Sequence, residues 1–249
     1  MSPAAATWAA QVIVFAKAPV AGQAKTRLVP ALGAAGAAAL AERLLDHAVA
    51  QAVAAGLGSV LLCVTPDAEH PAFQRLRARH ALRLTLQGEG DLGQRMDRAL
   101  THALTHMPTQ PPAHALTPAR TPAPTSAPAH SPPAGAGVLL IGSDAPALSA
   151  AVLRAAAAAL ADADVVLVPA LDGGYVLVGL RRPAPALFAG VAWSTGQVLA
   201  QTCQRAAAAG LRLVALPALA DIDEPADLVH LQHLPPPPML QPMPAHPPA

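Results

Sequence analysis

The chain has 249 residues, with 16 lysines and arginines against 15 aspartates and glutamates and a formal net charge of +1. Charged residues make up 12% and aromatic residues 2%, which excludes the basic stripe and the stacking platforms of a nucleic-acid binder. Two cysteines, Cys63 and Cys203, exclude a disulfide framework and a multi-cysteine zinc site, and both are expected to be inert core thiols.

A chain of this length can bury a full α/β core. The apolar stretches near 29–41 and 155–161 are Ala-rich and fall short of the ~20 residues of a membrane span. The first residues lack a basic region, and the apolar run 12–16 stops at Lys17, so no signal peptide and a cytoplasmic location are expected.

In chain order, strands are expected at 11–16, 59–65, 82–87, 138–142, 164–169, 175–180 and 211–216. Helices are expected at 33–55, 67–80, 91–106, 149–162, 195–209 and 224–233. Runs such as VIVFA and VLLI are apolar on both faces, as in a parallel sheet covered on each side by helices. The alternation predicts an α/β fold with a doubly wound, mostly parallel sheet. The Pro-rich segments 108–136 and 235–249 lack apolar periodicity, and they are read as a disordered insertion and a disordered tail flanking a single domain of residues 1–234. Ligands of such folds sit at the carboxyl ends of the strands, so the loops there carry the argument.

The loop after the first strand carries Lys17, Lys25 and Arg27, with Pro19 and Gly22 shaping the turn. Cations and free N–H groups in one loop suit a di- or triphosphate; a solvated basic loop is the plain alternative. It is not a P-loop, because no glycine directly precedes Lys25. After the third strand, Gly88, Gly90 and Gly93 match G-x-G-x-x-G. The acidic residue a dinucleotide site needs about 20 positions on is absent from the Pro-rich segment, so that reading fails. A glycine-rich turn against a base or ribose stays open.

Asp144, after the fourth strand, either holds a cation or, with Ser143, caps the next helix. Asp172-Gly173-Gly174-Tyr175 reads as a hairpin turn or as a substrate rim. Thr195 and Trp193 read as a cap and a core residue, or as part of the site. The run Asp221-Ile222-Asp223-Glu224-Pro225-Ala226-Asp227 holds four carboxylates, more than one helix cap requires. If it folds beside Asp144, the two acidic loops form a cation site facing Lys25 and Arg27. His102 and His106 are spaced i, i+4 without the Glu of H-E-x-x-H and read as a solvated helix end.

Taken together, VIVFAKAPVAGQAKTRL, QGEGDLGQRM, IGSDAP, ALDGGYVLVGL, WSTGQV and DIDEPADL resemble the bacterial radical-SAM/selenodomain-associated transferases, also called arsenosugar-biosynthesis glycosyltransferases. These are GT-A-type members of the nucleotide-diphospho-sugar transferase superfamily. The first loop is also similar to that of phospholactate guanylyltransferases, and the last motif to that of sugar-acid cytidylyltransferases. The likeness spans roughly residues 11–233.

The resemblance implies a GT-A-like α/β/α sandwich and a nucleotide or nucleotide-sugar ligand with a small-molecule acceptor. By it, Lys25, Arg27 and Lys17 hold phosphates, with Gly22 in their loop. Gln87, Gly90, Asp91 and Gly93 lie near base and ribose. Asp144 and Asp223 hold Mg²⁺ or Mn²⁺. Gly173, Gly174, Tyr175 and Trp193 line the sugar or acceptor side, and Asp172 is the base for an acceptor hydroxyl. A metal-dependent glycosyltransferase is expected, with a nucleotidyltransferase that releases pyrophosphate, or a non-catalytic nucleotide-binding protein, as alternatives.

Overall fold

A computed structural model of the protein describes residues 9–106 and 136–234. The described residues form seven strands: β1 (Ala9–Lys17), β2 (Val60–Thr65), β3 (Arg83–Leu86), β4 (Ala136–Ile141), β5 (Val165–Pro169), β6 (Tyr175–Leu180) and β7 (Leu213–Ala215). The five α-helices are α1 (Val29–Ala55), α2 (Pro71–His80), α3 (Leu92–Thr105), α4 (Ala150–Ala159) and α5 (Val198–Ala208). All seven expected strands are present. The expected insertion and tail lie outside the described residues, except that Ala136 already begins β4.

The strands make one sheet in the order β3-β2-β1-β4-β6-β5-β7. β6 runs antiparallel to β4 and β5, and the other pairings are parallel. The expected α/β fold with a mostly parallel sheet is therefore correct. Six strands share one direction, so the loops after β1, β3, β4, β5 and β7 open at one rim.

The two-residue period of the strands builds the layers. Val12, Val14 and Ala16 of β1 pack with Leu45 and Val49 of α1, Phe73 and Leu76 of α2, and Leu153 and Ala157 of α4. Ile13, on the opposite face, packs with Met96 and Leu100 of α3 and Ala206 of α5. A third, smaller cluster joins Leu28, Leu40 and Leu44 to Ile222 and Leu234. It pins the first loop to the last one.

Several ends differ from expectation. Helix α1 is broken at Gly33, whose φ of 69° lies outside helical space. Counted together across that break, the helical residues Thr26–Ala55 are long and apolar enough to cross a membrane by length and composition alone, a test that a buried core helix also passes. Here its Leu40, Leu44, Leu45, Ala48, Val49 and Ala52 are buried against the rest of the fold. The segment Pro225–His233 is a 3-10 helix rather than an α-helix.

Candidate active site

Lys25 is the centre of the rim. Its side chain is 7% exposed, and its Nζ lies 2.8 Å from Oδ1 of Asp144 and 2.8 Å from Oδ1 of Asp223. It also donates to the carbonyl of Ile222. Burial alone would lower the lysine pKa, but the carboxylates of Asp144 and Asp223 outweigh it and hold the ammonium above its ordinary value.

Local chain features place the three groups. Leu28 and Ile222 are fully buried in the same small cluster, which brings the first and last loops together. The Ile222 N–H donates to the Asp144 carbonyl at 3.0 Å. One residue therefore links the β4 loop through its N–H and Lys25 through its carbonyl. Lys25 itself has left-handed backbone geometry, with φ 48°. Such geometry in a non-glycine residue persists when its surroundings fix it, and three partners do so here.

The alternatives left open by the sequence resolve as follows. Ser149, rather than Ser143 or Asp144, caps α4, with its side chain accepting from the Val152 N–H. Asp144 is thus released for Lys25. Asp227, rather than Asp223, accepts the Asp223 and Glu224 N–H groups at 3.0 and 2.7 Å and organises the start of the 3-10 helix. Asp223 is released in the same way.

Around this clamp opens a cleft of about 570 Å³, lined among others by Lys17, Lys25, Thr26, Arg27, Gln87, Arg95, Ser143, Asp144, Ser194 and Asp223. Six expected site residues therefore share one cleft. Lys17 donates to the Gln23 carbonyl at 2.9 Å. Arg27 lies 3.8 Å from Glu224 in a pair that is well exposed on both sides, a contact worth little. Arg95, Ser194 and Thr26 are not site candidates in the sequence reading, and Ser143 enters it only as a cap. Arg95 could have been, as a cation inside a motif of a chain poor in charges.

Other expected residues stand elsewhere. Gly22 (φ 76°) shapes the first turn and does not line the cleft. Gly90 faces a separate surface groove with Arg98, His102 and His106. Asp91 caps α3 reciprocally with Gln94, at 2.8 and 3.0 Å, so its carboxylate serves the helix. A Cβ on Gly93 would stand 2.6 Å from the Trp193 ring, so this glycine makes room for the tryptophan.

The Gly173-Gly174 turn is the hairpin between β5 and β6, with the Gly174 N–H donating to Asp172 at 2.8 Å. A Cβ on Gly173 would fall on the backbone of Gly196, so the space is used by the chain itself. Tyr175 and Trp193 meet edge-on at 6.5 Å, and Trp193 stacks with Phe188 at 6.4 Å, forming a packed wall of the core. Trp193 is partly buried and packs against the core, and its neighbour Ser194 lines the cleft.

Asp172 lies in an adjoining pocket of about 270 Å³ with Asp221, Asp223, Glu224 and Asp227, and Arg27 and Asp223 border both spaces. Burial, followed by the charge of Asp172, pushes the Asp221 carboxyl up to about 6. Burial likewise pushes the Cys63 thiol up to about 12, in keeping with an inert core cysteine.

The clamp can be tested for a divalent cation on its donor set. Asp144 and Asp223 each commit Oδ1 to Lys25, while neither Oδ2 has a protein partner among the described residues. Their side chains are 45% and 46% exposed. No group of three or more His, Cys, Asp or Glu side chains stands ready for a metal among the described residues. Two carboxylates with ligand phosphates and waters are a sufficient set for Mg²⁺, so the residues fit it.

Residues 44–195 match a family described as an uncharacterized protein conserved in bacteria, DUF2064. The chain belongs to the DUF2064 family. The structure of a "putative nucleotide-diphospho-sugar transferase" from Desulfovibrio desulfuricans G20 is 26% identical to this DUF2064 chain. It covers 88% of this chain and 84% of its own, with a TM-score of 0.71. The 4-diphosphocytidyl-2C-methyl-D-erythritol synthase from Anaerococcus prevotii DSM 20548 is 10% identical, covers 89% and 93%, and has a TM-score of 0.52. The latter shares the fold alone. No curated protein matches the chain. The DUF2064 chain thus has a nucleotide-diphospho-sugar transferase-like fold, which agrees with the superfamily expected from its motifs.

Proposed function

We propose that the protein is a metal-dependent glycosyltransferase that uses a nucleotide-diphospho-sugar donor and a small-molecule acceptor in the cytoplasm, where such donors are made. The observation that carries this reading is the meeting of Lys25, Asp144 and Asp223 in one cleft with Lys17, Arg27 and Arg95. Likeness to the Desulfovibrio protein supports the donor class.

The chemistry follows from charge. Departure of a nucleoside diphosphate concentrates negative charge on its terminal phosphate. Groups that hold this charge more tightly in the transition state than in the ground state accelerate the step. Asp144 and Asp223 would hold Mg²⁺ or Mn²⁺ through the oxygens not used by Lys25. That ion, when bound, would supply further neutralisation of the phosphates. Lys25 keeps the two carboxylates at a fixed separation, while Lys17 and Arg27 bind phosphate oxygens from the first loop. Ser194, which also lines the cleft, offers a hydroxyl to the transferred unit.

A second reading, nucleotidyl transfer with release of pyrophosphate, is favoured by one observation. The cleft carries four cations, and its carboxylates are Asp144 and Asp223, both engaged with Lys25. Asp172, the base that glycosyl transfer to a hydroxyl would need, stands in the neighbouring pocket. Deprotonation is unnecessary when the acceptor is already a phosphate or carboxylate.

One assay separates the readings. The protein is screened for thermal stabilisation by nucleoside triphosphates and nucleotide sugars, with and without Mg²⁺ and Mn²⁺. The stabilising ligand is then incubated with candidate acceptors. Nucleoside diphosphate release supports glycosyl transfer, and pyrophosphate release supports nucleotidyl transfer. Metal-independent binding with neither product would leave a nucleotide-binding protein and overturn both.

A further inference from the structure

Gln87 is a buried polar residue, 4% exposed. Its Nε2 donates to the carbonyls of Ala16 and Cys63, at 3.1 and 3.2 Å, where β1 and β2 end. Its Oε1 accepts from Nη1 of Arg95 at 2.8 Å. Both N–H groups of the amide are thus spent on the protein, and Gln87 cannot read a base as its motif suggested. The group it offers to the cleft is the guanidinium it holds.

Arg95 is partly buried on the first turn of α3. Its Nε donates to the Asp91 carbonyl at 3.3 Å, so two of its three nitrogens are fixed. Nη2 has no protein partner among the described residues, and no carboxylate there pairs with this cation. Arg98, three residues on, is spent differently: it donates to the carbonyls of Gln87 and Glu89 and braces the glycine turn. A half-buried, rigidly held guanidinium without a counter-ion, on a cleft shared with Lys17, Lys25 and Arg27, needs an anion to complete it.

We propose that Arg95 binds a phosphate oxygen of the nucleotide ligand, and that Gln87 is the positioning residue that aims it. This rests on the nucleotide reading above and adds a phosphate contact from α3, on the third-strand side of the cleft. A fork held at two nitrogens loses little freedom when it takes up an oxyanion, which a flexible lysine would not match.

The test is calorimetric titration of inorganic pyrophosphate, and of ATP, GTP, CTP and UTP, in MgCl₂, into the full-length protein. The variants are Arg95→Gln, Arg95→Lys, Gln87→Met and the double variant Arg95→Gln/Gln87→Met. Arg79→Gln, at an exposed position of α2, serves as the net-charge control. Arg95→Gln is expected to weaken both pyrophosphate and the best nucleotide by about tenfold to hundredfold, the range for one charge-assisted hydrogen bond. Arg95→Lys recovers part of this. Gln87→Met weakens both ligands, and the double variant binds no more weakly than Arg95→Gln alone. Arg79→Gln leaves affinity unchanged.

Retention of wild-type affinity within twofold by Arg95→Gln overturns the proposal while leaving the nucleotide reading intact. So does a loss for the nucleotide with none for pyrophosphate, since Arg95 would then contact the nucleoside. Failure of the wild-type protein to bind any of the five ligands overturns this proposal, and failure of the nucleotide sugars of the thermal screen to stabilise it as well overturns the nucleotide reading. If Arg95→Gln does not fold, Arg95→Lys decides by the same criteria.

Discussion

A buried ammonium is costly unless it is paired, and Lys25 is paired with two carboxylates that lie 119 and 198 positions further along the chain. Lys25→Met would leave those carboxylates facing each other. Because they are nearly half exposed, the loss should be about 1–3 kcal/mol, below the roughly 3–5 kcal/mol of a fully buried pair. Urea unfolding would measure it, and the same variant should lose nucleotide binding. A second residue gives a pH dependence. His47 Nε2 contacts the Pro146 carbonyl at 2.9 Å, just beyond Asp144, and burial holds its pKa below the ordinary 6.5. A depressed histidine favours its neutral form in the fold, so its contribution is complete above pH 6.5 and is lost as pH falls through the lower folded value. His47→Gln should flatten the fall in unfolding free energy between pH 8 and pH 5, measured by urea titration at each pH. The residue types at the clamp were legible, because carboxylates and a lysine at strand ends are expensive without a purpose. Arg95 was legible as a cation within a motif, but its aim was not, since that depends on what Gln87 does with its amide.

Short connecting elements decide which polar residues remain for chemistry. Asp91, Ser149 and Asp227 each satisfy backbone N–H groups at an element start, while Asp144 and Asp223 do not. Asp91→Ala should therefore destabilise the fold by about 1 kcal/mol in thermal unfolding, with little direct effect on ligand affinity. The Gly173 turn is stricter, because its φ is +90° and its missing Cβ makes space for Gly196. Gly173→Ala should cost about 2 kcal/mol or more in urea unfolding, by left-handed strain and displacement of the loop that carries Ser194. From the sequence these glycines read equally well as a hairpin turn or a substrate rim. Both readings need a glycine, and the neighbour that fills the space comes from a distant loop.

At the scale of the molecule, the sheet collects the carboxyl ends of six parallel strands on one rim, and the small Leu28–Ile222 cluster then pulls the first and last loops together. Ile222→Ala should open a cavity costing about 2–4 kcal/mol by urea unfolding. It should also weaken nucleotide binding in calorimetry, although its side chain touches no ligand, because Lys25 and Asp223 would lose their common support. The sequence by itself determined the seven strands, the covering helices and the identity of the rim loops. Those features follow from local periodicity, chain stiffness and turn chemistry, which neighbouring residues encode. Only the tertiary structure decided that Asp172 belongs to the adjoining pocket, that Trp193 packs against the core while Ser194 lines the cleft, and that Gln87 serves Arg95. Each of these depends on which distant group arrives first at a hydrogen bond or a space, and no local pattern records that competition.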